Sequence, residues 1–180
     1  MACIIREATR EDAALLLRLI RESFETVYQR FDLRPEKWPG HAANKTPAWI
    51  LEAMDKAQRF FILEESGEPC GCVALEVGEG GTAHLRRLAV LPAFRRRGFG
   101  RRLVGHVLAQ ARRLAARRVV LGIVAANMEL QQWYERQGFA VTDRKRYDEV
   151  PFEVTHMALE IVQPQPHAAP IVVRRRTGDG

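Results

Sequence analysis

The chain has 180 residues, 47% apolar and 28% charged, which is typical of a soluble globular domain that can bury a core. No apolar run approaches the roughly 18 residues that cross a bilayer, and the first residues lack the basic and apolar regions of a signal peptide. We therefore expect a cytoplasmic protein without a membrane partner.

Basic residues are concentrated in one block. Eleven arginines, and no lysine or acidic residue, lie between Gly80 and Met128, whereas the rest of the chain carries 17 basic and 22 acidic residues. The net charge of +6 is therefore the sum of one strongly basic segment and a remainder that is mildly acidic. Such a segment requires a solvated face or an anionic partner, and nucleic acid, lipid and a phosphorylated cofactor are the candidates.

Three cysteines, Cys3, Cys70 and Cys72, are too few and too sparse for a disulfide framework. Cys70 and Cys72 lie two apart in a strand-like run, so we expect them to share one face. That spacing could supply half of a metal site, but no further Cys/His set at ligand spacing exists in the chain. We therefore interpret the pair as small buried residues and expect no metal.

The first half of the chain is predicted to form strands in hairpins. A strand at Cys3–Glu7 precedes a capping-box sequence at Thr9 and an amphipathic helix that ends near Arg30. A polar, proline-containing loop and a short helix come next. Alternation and turn signals then predict three neighbouring strands, at residues 59–64, 70–77 and 84–90.

The second half alternates helices and strands. The pattern predicts a long helix after Gly100, a buried strand at Arg118–Val124, a helix at 129–137, and strands at 139–142 and 153–161. Together the elements indicate an α/β (α+β) fold, with a single domain over residues 1–162, a mixed sheet and helices on both faces. Residues 163–180 are rich in Pro and Arg and are predicted to be a mobile tail.

A basic, glycine-containing turn joins a strand to the start of the long helix. It comprises Arg95, Arg96, Arg97, Gly98, Phe99 and Gly100, followed by Arg101. A helix N-terminus offers free N–H groups and a positive dipole end, and glycines let a phosphate approach the backbone. Arginines add forked donors for phosphate oxygens. The turn is therefore a candidate anion site.

Two common phosphate motifs do not fit this turn. A P-loop requires a lysine followed by serine or threonine after its second glycine, and neither is present. The dinucleotide fingerprint requires a third glycine three residues after Gly100, where this chain has Leu103. The remaining pattern is basic-x-x-Gly-x-Gly after a strand that ends at Pro92.

This pattern resembles the acetyl-CoA-binding motif of the GNAT N-acetyltransferase superfamily. The resemblance continues in order along the chain from about residue 3 to 161. Residues 4–9 are similar to the opening strand of the family, residues 85–92 to the strand before the motif, Asn127 with Tyr134 and residues 135–139 to its second signature, and residues 156–160 to its last strand.

The resemblance implies a mostly antiparallel sheet that is splayed at a cleft for acetyl-CoA, the co-substrate. The strand containing Leu88, Ala89 and Val90 would pair with the pantetheine arm through its backbone, and the amides from residue 96 to 101 would hold the pyrophosphate. A free primary amine, on a small molecule or a peptide, would attack the thioester directly. A backbone N–H near Val90 would stabilise the oxyanion.

The resemblance also implies roles for side chains. Tyr134 would donate a proton to the departing thiolate, and Asn127 would bind the pantetheine arm, cap the following helix, or do both. The general base is less defined: His84 and Glu76 lie on strands that could face the cleft, and Asp148 and Glu149 lie on a late loop.

The acceptor side is walled by residues 24–47 and 147–152 in this family, and acidic residues in both segments suit a cationic amine. Homodimers are common in such folds, and the sequence leaves oligomeric state open. Two alternatives remain: a fold member that only senses acyl-CoA, and a nucleic-acid-binding module. Because Phe94 and Phe99 are the only aromatic residues in the basic block, we expect no nucleic-acid partner.

Overall fold

Seven strands form one sheet in the computed structural model, which describes residues 2–162. The strands are β1 (Cys3–Glu7), β2 (Arg59–Glu65), β3 (Glu68–Val77), β4 (Thr82–Val90), β5 (Arg118–Val124), β6 (Ala140–Arg146) and β7 (Glu153–Glu160). The α-helices are α1 (Ala13–Arg30), α2 (Pro47–Asp55), α3 (Phe99–Arg113) and α4 (Met128–Glu135). The predicted α+β fold is confirmed, whereas the predicted tail lies outside the described residues.

The strand order in this part of the chain is β1-β2-β3-β4-β5-β7-β6, and all neighbours are antiparallel except β4 and β5. The predicted bounds of β1 and β5 agree with the structure. Strand β6 extends four residues beyond the predicted end at residue 142, because its charged second half still pairs with β7.

Two hydrophobic clusters cover the two faces of the sheet. Strand β2 contributes to both, since Phe60 and Ile62 pack toward α1 and α2, whereas Phe61 and Leu63 pack toward α3. All four side chains are at most 1% exposed. This alternation explains why β2 is a continuous apolar run: a strand covered on both faces needs apolar residues at every position.

The prediction that Cys70 and Cys72 share a face is wrong. A register shift in the β2–β3 pairing, which matches Leu63 with Gly71 but Glu64 with Pro69, leaves Cys70 as an extra residue. The bulge shifts the alternation, so Cys70 packs in the α3 cluster and Cys72 in the α1 cluster. Both thiols are fully buried, as expected, and burial raises their pKa values to about 11 and about 12.

An arginine in β1 joins three elements. The Arg6 guanidinium donates two hydrogen bonds to the Asp12 carboxylate, at 2.8 and 2.9 Å, and one to Glu64 at 2.7 Å. Asp12 also accepts the Thr9 N–H at 2.8 Å, which completes the predicted capping box. These contacts hold the start of α1 against β1 and β2, and the Arg6 bonds lower the pKa of Asp12 to about 2.

We predict that Asp12→Asn destabilises the protein by about 1–2 kcal/mol at pH 7, because Asn keeps the cap acceptor but loses the charge that Arg6 binds. The depressed pKa of Asp12 contributes stability above about pH 4 that is lost as the pH falls toward 2. Urea unfolding at pH 7, 5 and 3 should therefore show a difference between variant and parent that shrinks at low pH.

Asp55→Asn is the matched control, because Asp55 pairs with Arg10 while 62% of its side chain is exposed. We expect it to cost about 0.5 kcal/mol or less. A difference for Asp12→Asn that is equal at pH 7 and pH 3 would contradict the electrostatic explanation.

Candidate active site

Strands β4 and β5 separate along their length. They are paired only where residues 82–84 of β4 meet residues 118–120 of β5. Beyond that point β5 pairs with β7 alone, and β4 pairs with β3 alone. The two ends therefore diverge into a gap that is open toward Val90 and Val124.

The edge of β4 that faces this gap has a defined backbone pattern. Leu91 donates its N–H to the carbonyl of Cys70 in β3 at 2.9 Å. Because neighbouring residues of an extended strand direct their backbone groups to opposite sides, Val90 and Leu88 direct theirs away from β3, into the gap. Ala89 faces β3, where it lies opposite Cys72, and its side chain is buried in the α1 cluster.

Two residues of the turn after β4 have left-handed backbone conformations, Arg96 with φ 61° and Gly98 with φ 80°. The first hydrogen bond of α3 runs from the Arg102 N–H to the Gly98 carbonyl at 3.1 Å, so the amides of residues 99–101 have no helical acceptor. Within residues 2–162, the amides of residues 96–98 also have no hydrogen-bond acceptor. The turn thus offers a series of free N–H groups.

The two glycines of the turn are required for different reasons. No atom lies within 4 Å of the position that a Cβ on Gly98 would take, so its constraint is the positive φ. A Cβ on Gly100 would lie 3.1 Å from the Trp133 ring. Gly100 therefore permits close packing of α4 on the first turn of α3.

Arg95, the first basic residue of the motif, forms hydrogen bonds within the protein. Its guanidinium donates to the Val90 carbonyl at 3.1 Å, to Thr26 Oγ1 at 2.9 Å and to the Ser23 carbonyl at 2.6 Å. Burial lowers its pKa. Arg95 thus ties the turn to the end of β4 and to α1, a role that the sequence analysis did not identify.

The other arginines of the turn differ in their contacts. Arg97 donates to Glu65 at 2.6 Å and lies over the rings of Phe94 and Phe99, and Phe99 itself is in the core. Arg96 and Arg101 are exposed and form no hydrogen bond or ion pair within the described residues. Only these latter two are free to bind an anion with their side chains.

Helix α4 brings Asn127 and Tyr134 to the β5 side of the gap. Asn127 is buried, and its Oδ1 accepts the Leu130 N–H at 3.2 Å, so it caps α4 as expected. Tyr134 is only 4% exposed and packs on Trp133 and Phe139. Burial raises the pKa of Tyr134 well above its usual value, and its hydroxyl has no hydrogen-bond partner within residues 2–162.

The two strand residues considered as bases lie at the closed end of the gap. His84 is opposite both Glu76 and Val120, in the stretch where β4 and β5 remain paired. Glu76 accepts hydrogen bonds from Gln58 and Arg86. Burial lowers the pKa of His84. These contacts do not support His84 or Glu76 as the general base. The assignment of the base therefore stays a prediction.

The two segments expected to wall the acceptor side are in contact. Trp38 and Phe152 meet edge to face with ring centroids 5.3 Å apart. Trp38 also contacts Tyr28 and the buried His41. The sequence analysis did not predict this aromatic cluster, although the two segments contain six Phe, Tyr and Trp residues. Burial raises the pKa of Tyr28 to about 12.

Polar contacts connect this wall to its neighbours. Arg30 at the end of α1 pairs with Glu129 in the first turn of α4 at 3.1 Å, across the open end of the gap. Asp32 is paired with Arg34 at 2.7 Å. Two shallow pockets, of about 260 and 510 Å³, lie along these segments, and neither is lined by residues of the turn, β4 or β5.

The described part of the chain, residues 2–162, has no helix with the length and apolar character of a membrane span. Nor does it contain a group of three or more His, Cys, Asp or Glu side chains that could hold a metal ion.

Solved structures share this fold. The PaiA N-acetyltransferase of Thermoplasma acidophilum, in complex with coenzyme A, superimposes with a TM-score of 0.75 at 19% identity, covering 89% of this chain and 100% of that one. The ribosomal-protein-S18-alanine N-acetyltransferase of Escherichia coli gives 0.72 at 18% identity, covering 93% and 99%. At these identities the likeness establishes the fold alone.

Sequence comparisons establish the family. An uncharacterized N-acetyltransferase of Methanocaldococcus jannaschii is 26% identical over 141 residues, which cover 75% of this chain and 59% of that protein. Amino-acid acetyltransferase of Neisseria meningitidis is 31% identical over 93 residues, 51% of this chain and 20% of that protein. The chain thus spans less than two thirds of these curated relatives. The profile of the acetyltransferase (GNAT) family matches residues 16–139, and the chain belongs to that family.

Proposed function

We propose that the chain is an acetyl-CoA-dependent N-acetyltransferase that moves an acetyl group to a primary amine of a small molecule or a peptide. The observation that carries this proposal is the presence of two groups of backbone N–H donors without an acceptor in residues 2–162: those on the gap edge of β4, and those of residues 96–101 in the turn at the start of α3. The amide-containing pantetheine arm suits the strand edge, and the pyrophosphate suits the turn.

The described residues divide the cofactor contacts among them. The backbone of Leu88 pairs with the pantetheine arm, while the Val90 carbonyl is held by Arg95 and the Val90 N–H is left for the acyl oxygen. The amides of residues 96–101 hold the pyrophosphate, and the free side chains of Arg96 and Arg101 add positive charge. The Nδ2 group of Asn127 remains available for a carbonyl of the arm, since only its Oδ1 is used in the cap.

Acetyl-CoA supplies the activated acyl group when it is bound. The Val90 N–H, directed into the gap, donates to the oxygen on which negative charge develops during attack. Tyr134 is neutral at physiological pH, as a tyrosine is even without a raised pKa, and it donates to the leaving sulfur. The gap is open on the acceptor side, and the proton of the attacking amine leaves there through solvent.

The acceptor is not given by the relatives. Their names specify different ones, an amino acid in one case and the alanine of a ribosomal protein in another. The two solved structures described above are only 19% and 18% identical to this chain, so the proposal extends to the donor and the reaction only.

Acetyl-CoA should raise the melting temperature by several degrees at about 100 times its dissociation constant, because a ligand at that ratio stabilises the native state by about 2.7 kcal/mol. ATP at equal concentration is the control for a nonspecific polyanion. Release of free CoA thiol across a panel of amines then tests the transfer.

Three outcomes oppose the proposal in different ways. No stabilisation by acetyl-CoA contradicts both the cofactor and the reaction. Stabilisation without thiol release for any amine or peptide indicates a protein that only binds acyl-CoA. Salt-sensitive RNA binding that CoA does not compete with indicates a nucleic-acid module instead.

Removing the free arginines should affect binding and not folding. We predict that Arg96→Ala and Arg101→Ala each weaken acetyl-CoA binding about 3- to 10-fold and reduce its salt dependence, with unchanged melting temperature. Arg97→Ala is the matched control: because Arg97 bonds Glu65 and covers two rings, it should lower the melting temperature and change affinity less than 3-fold. Isothermal titration at two salt concentrations measures the affinity and its salt dependence. A larger loss of affinity in Arg97→Ala than in Arg96→Ala and Arg101→Ala would contradict this prediction.

Removing the Tyr134 hydroxyl should slow the transfer. We predict that Tyr134→Phe lowers kcat about 100-fold with the most active acceptor, while the dissociation constant of acetyl-CoA changes less than 3-fold. Tyr28→Phe, which also removes a buried hydroxyl, should leave kcat within about 3-fold because Tyr28 packs in the α1 cluster. Equal kcat for parent and Tyr134→Phe would remove Tyr134 from the acid role.

A further inference from the structure

An arginine in the diverging part of β4, Arg87, forms no ion pair with a carboxylate in residues 2–162. We propose that Arg87 binds a carboxylate of the acceptor, so that the acceptor is an amino acid or another amine that carries a carboxylate a few bonds from its nitrogen. This inference rests on the proposed function and narrows its acceptor class.

The backbone of Arg87 is fixed by a bulge. The β3–β4 register changes between Cys72 and Ala74, so two residues of β4, Arg87 and Leu88, lie opposite Val73. Arg87 takes a left-handed conformation, with φ 53°. A non-glycine residue in this conformation is strained, and the surrounding structure must compensate that strain.

The side chain of Arg87 lies on the α1 and α2 side of the sheet, between two rings. Its guanidinium carbon is 4.4 Å from the centroid of Trp49 in α2 and 5.6 Å from that of Phe60 in β2. The planar group is thus held in a fixed orientation while the residue stays only half-buried. Stacked guanidinium groups keep their edge donors available for a planar anion.

The charge of Arg87 is not balanced. Gln58 accepts a hydrogen bond from Arg87 and donates another to Glu76. The Glu76 carboxylate also accepts a hydrogen bond from Arg86. Two arginines therefore share one carboxylate, and Arg87 reaches it only through a neutral amide. Within residues 2–162, no carboxylate forms an ion pair with Arg87, and burial lowers its pKa to about 10. A half-buried cation without a counter-ion favours binding of an anion.

The position of Arg87 matches the acceptor side of the gap. It precedes Leu88 by one residue and Val90 by three, which corresponds to about 10 Å along the strand from the proposed oxyanion donor. Its side chain contacts the same cluster against which Trp38 and Phe152, from the acceptor walls, are packed. A carboxylate on Arg87 would leave the amine of the same molecule directed toward the thioester.

The acidic walls, which suggested a cationic acceptor, are partly neutralised. Asp32 is paired with Arg34. The pocket beside Asp148 and Glu149 is also lined by two lysines. The unbalanced charge of Arg87 is therefore the stronger indication of acceptor class.

The test uses acceptor pairs that differ only at the carboxylate: an α-amino acid, its primary amide, and the amine that lacks the group. With the intact protein and acetyl-CoA, kcat/KM for the carboxylate form should exceed the other two by about tenfold or more. Arg87→Gln keeps an unbranched polar side chain at this position but removes its charge. It should abolish the preference for the carboxylate form, while the affinity for acetyl-CoA stays unchanged. Arg86→Gln, at the exposed neighbour, should preserve the preference.

A binding measurement keeps the test valid if a variant is slow or turnover is weak. Isothermal titration of an N-acetyl amino acid and its amide, with CoA present and then absent, should show carboxylate-dependent binding that Arg87→Gln removes. Equal binding of acid and amide, a preference for a polyamine, or a preference that survives in Arg87→Gln would overturn the proposal. Acetyl-CoA binding with acetylation of amines regardless of a carboxylate would contradict this inference alone, whereas absent acetyl-CoA binding would contradict the proposed function.

Discussion

The candidate site depends on two neighbouring strands, β4 and β5, that stop pairing partway along the sheet. Backbone N–H and C=O groups inside a protein are almost always hydrogen-bonded, so strands that separate in the middle of a sheet leave groups that need partners. Here β4 and β5 share three residue pairs and then diverge, so within residues 2–162 the edge at Leu88 and Val90 pairs with no strand on that side, and only the Val90 carbonyl is bound, by Arg95. An extended ligand with its own amides can complete that edge. The fold thus creates the binding surface from unsatisfied backbone and not from a particular set of side chains.

The arginine block has several roles that composition alone cannot separate. Arg95 is a positioning residue that fixes the turn to β4 and α1, and Arg97 secures the turn to β2 through Glu65. Within residues 2–162, Arg96 and Arg101 have no side-chain partner, and Arg87 lies on the α1 and α2 side of the sheet. One uniformly basic segment therefore divides into arginines that hold the fold and arginines that we propose for anion binding.

Hydrophobic periodicity and turn chemistry predicted most of the fold, because alternation and helical spacing are local signals. Strand β5 and the capping box at Thr9 agree with the structure for this reason. Bulges are not local signals. The extra residue at Cys70 places Cys70 and Cys72 on opposite faces of the sheet, contrary to the prediction. The bulge at Arg87 likewise sets the face on which the Arg87 side chain lies, which residue spacing alone does not predict. The roles considered for His84 depended on where β4 and β5 separate, which a sequence does not specify.

Helix α1 crosses the open end of the gap and is attached on both sides. On the β4 side, Arg95 joins it through hydrogen bonds to the Ser23 carbonyl and Thr26 Oγ1, whereas on the β5 side the single exposed Arg30–Glu129 pair joins it to α4. The second attachment is an exposed ion pair, which salt screens. Several hydrogen bonds therefore attach α1 beside the end of β4, whereas one exposed ion pair attaches it to α4. Raising the salt concentration should loosen α1 from α4 before it loosens α1 from the turn after β4.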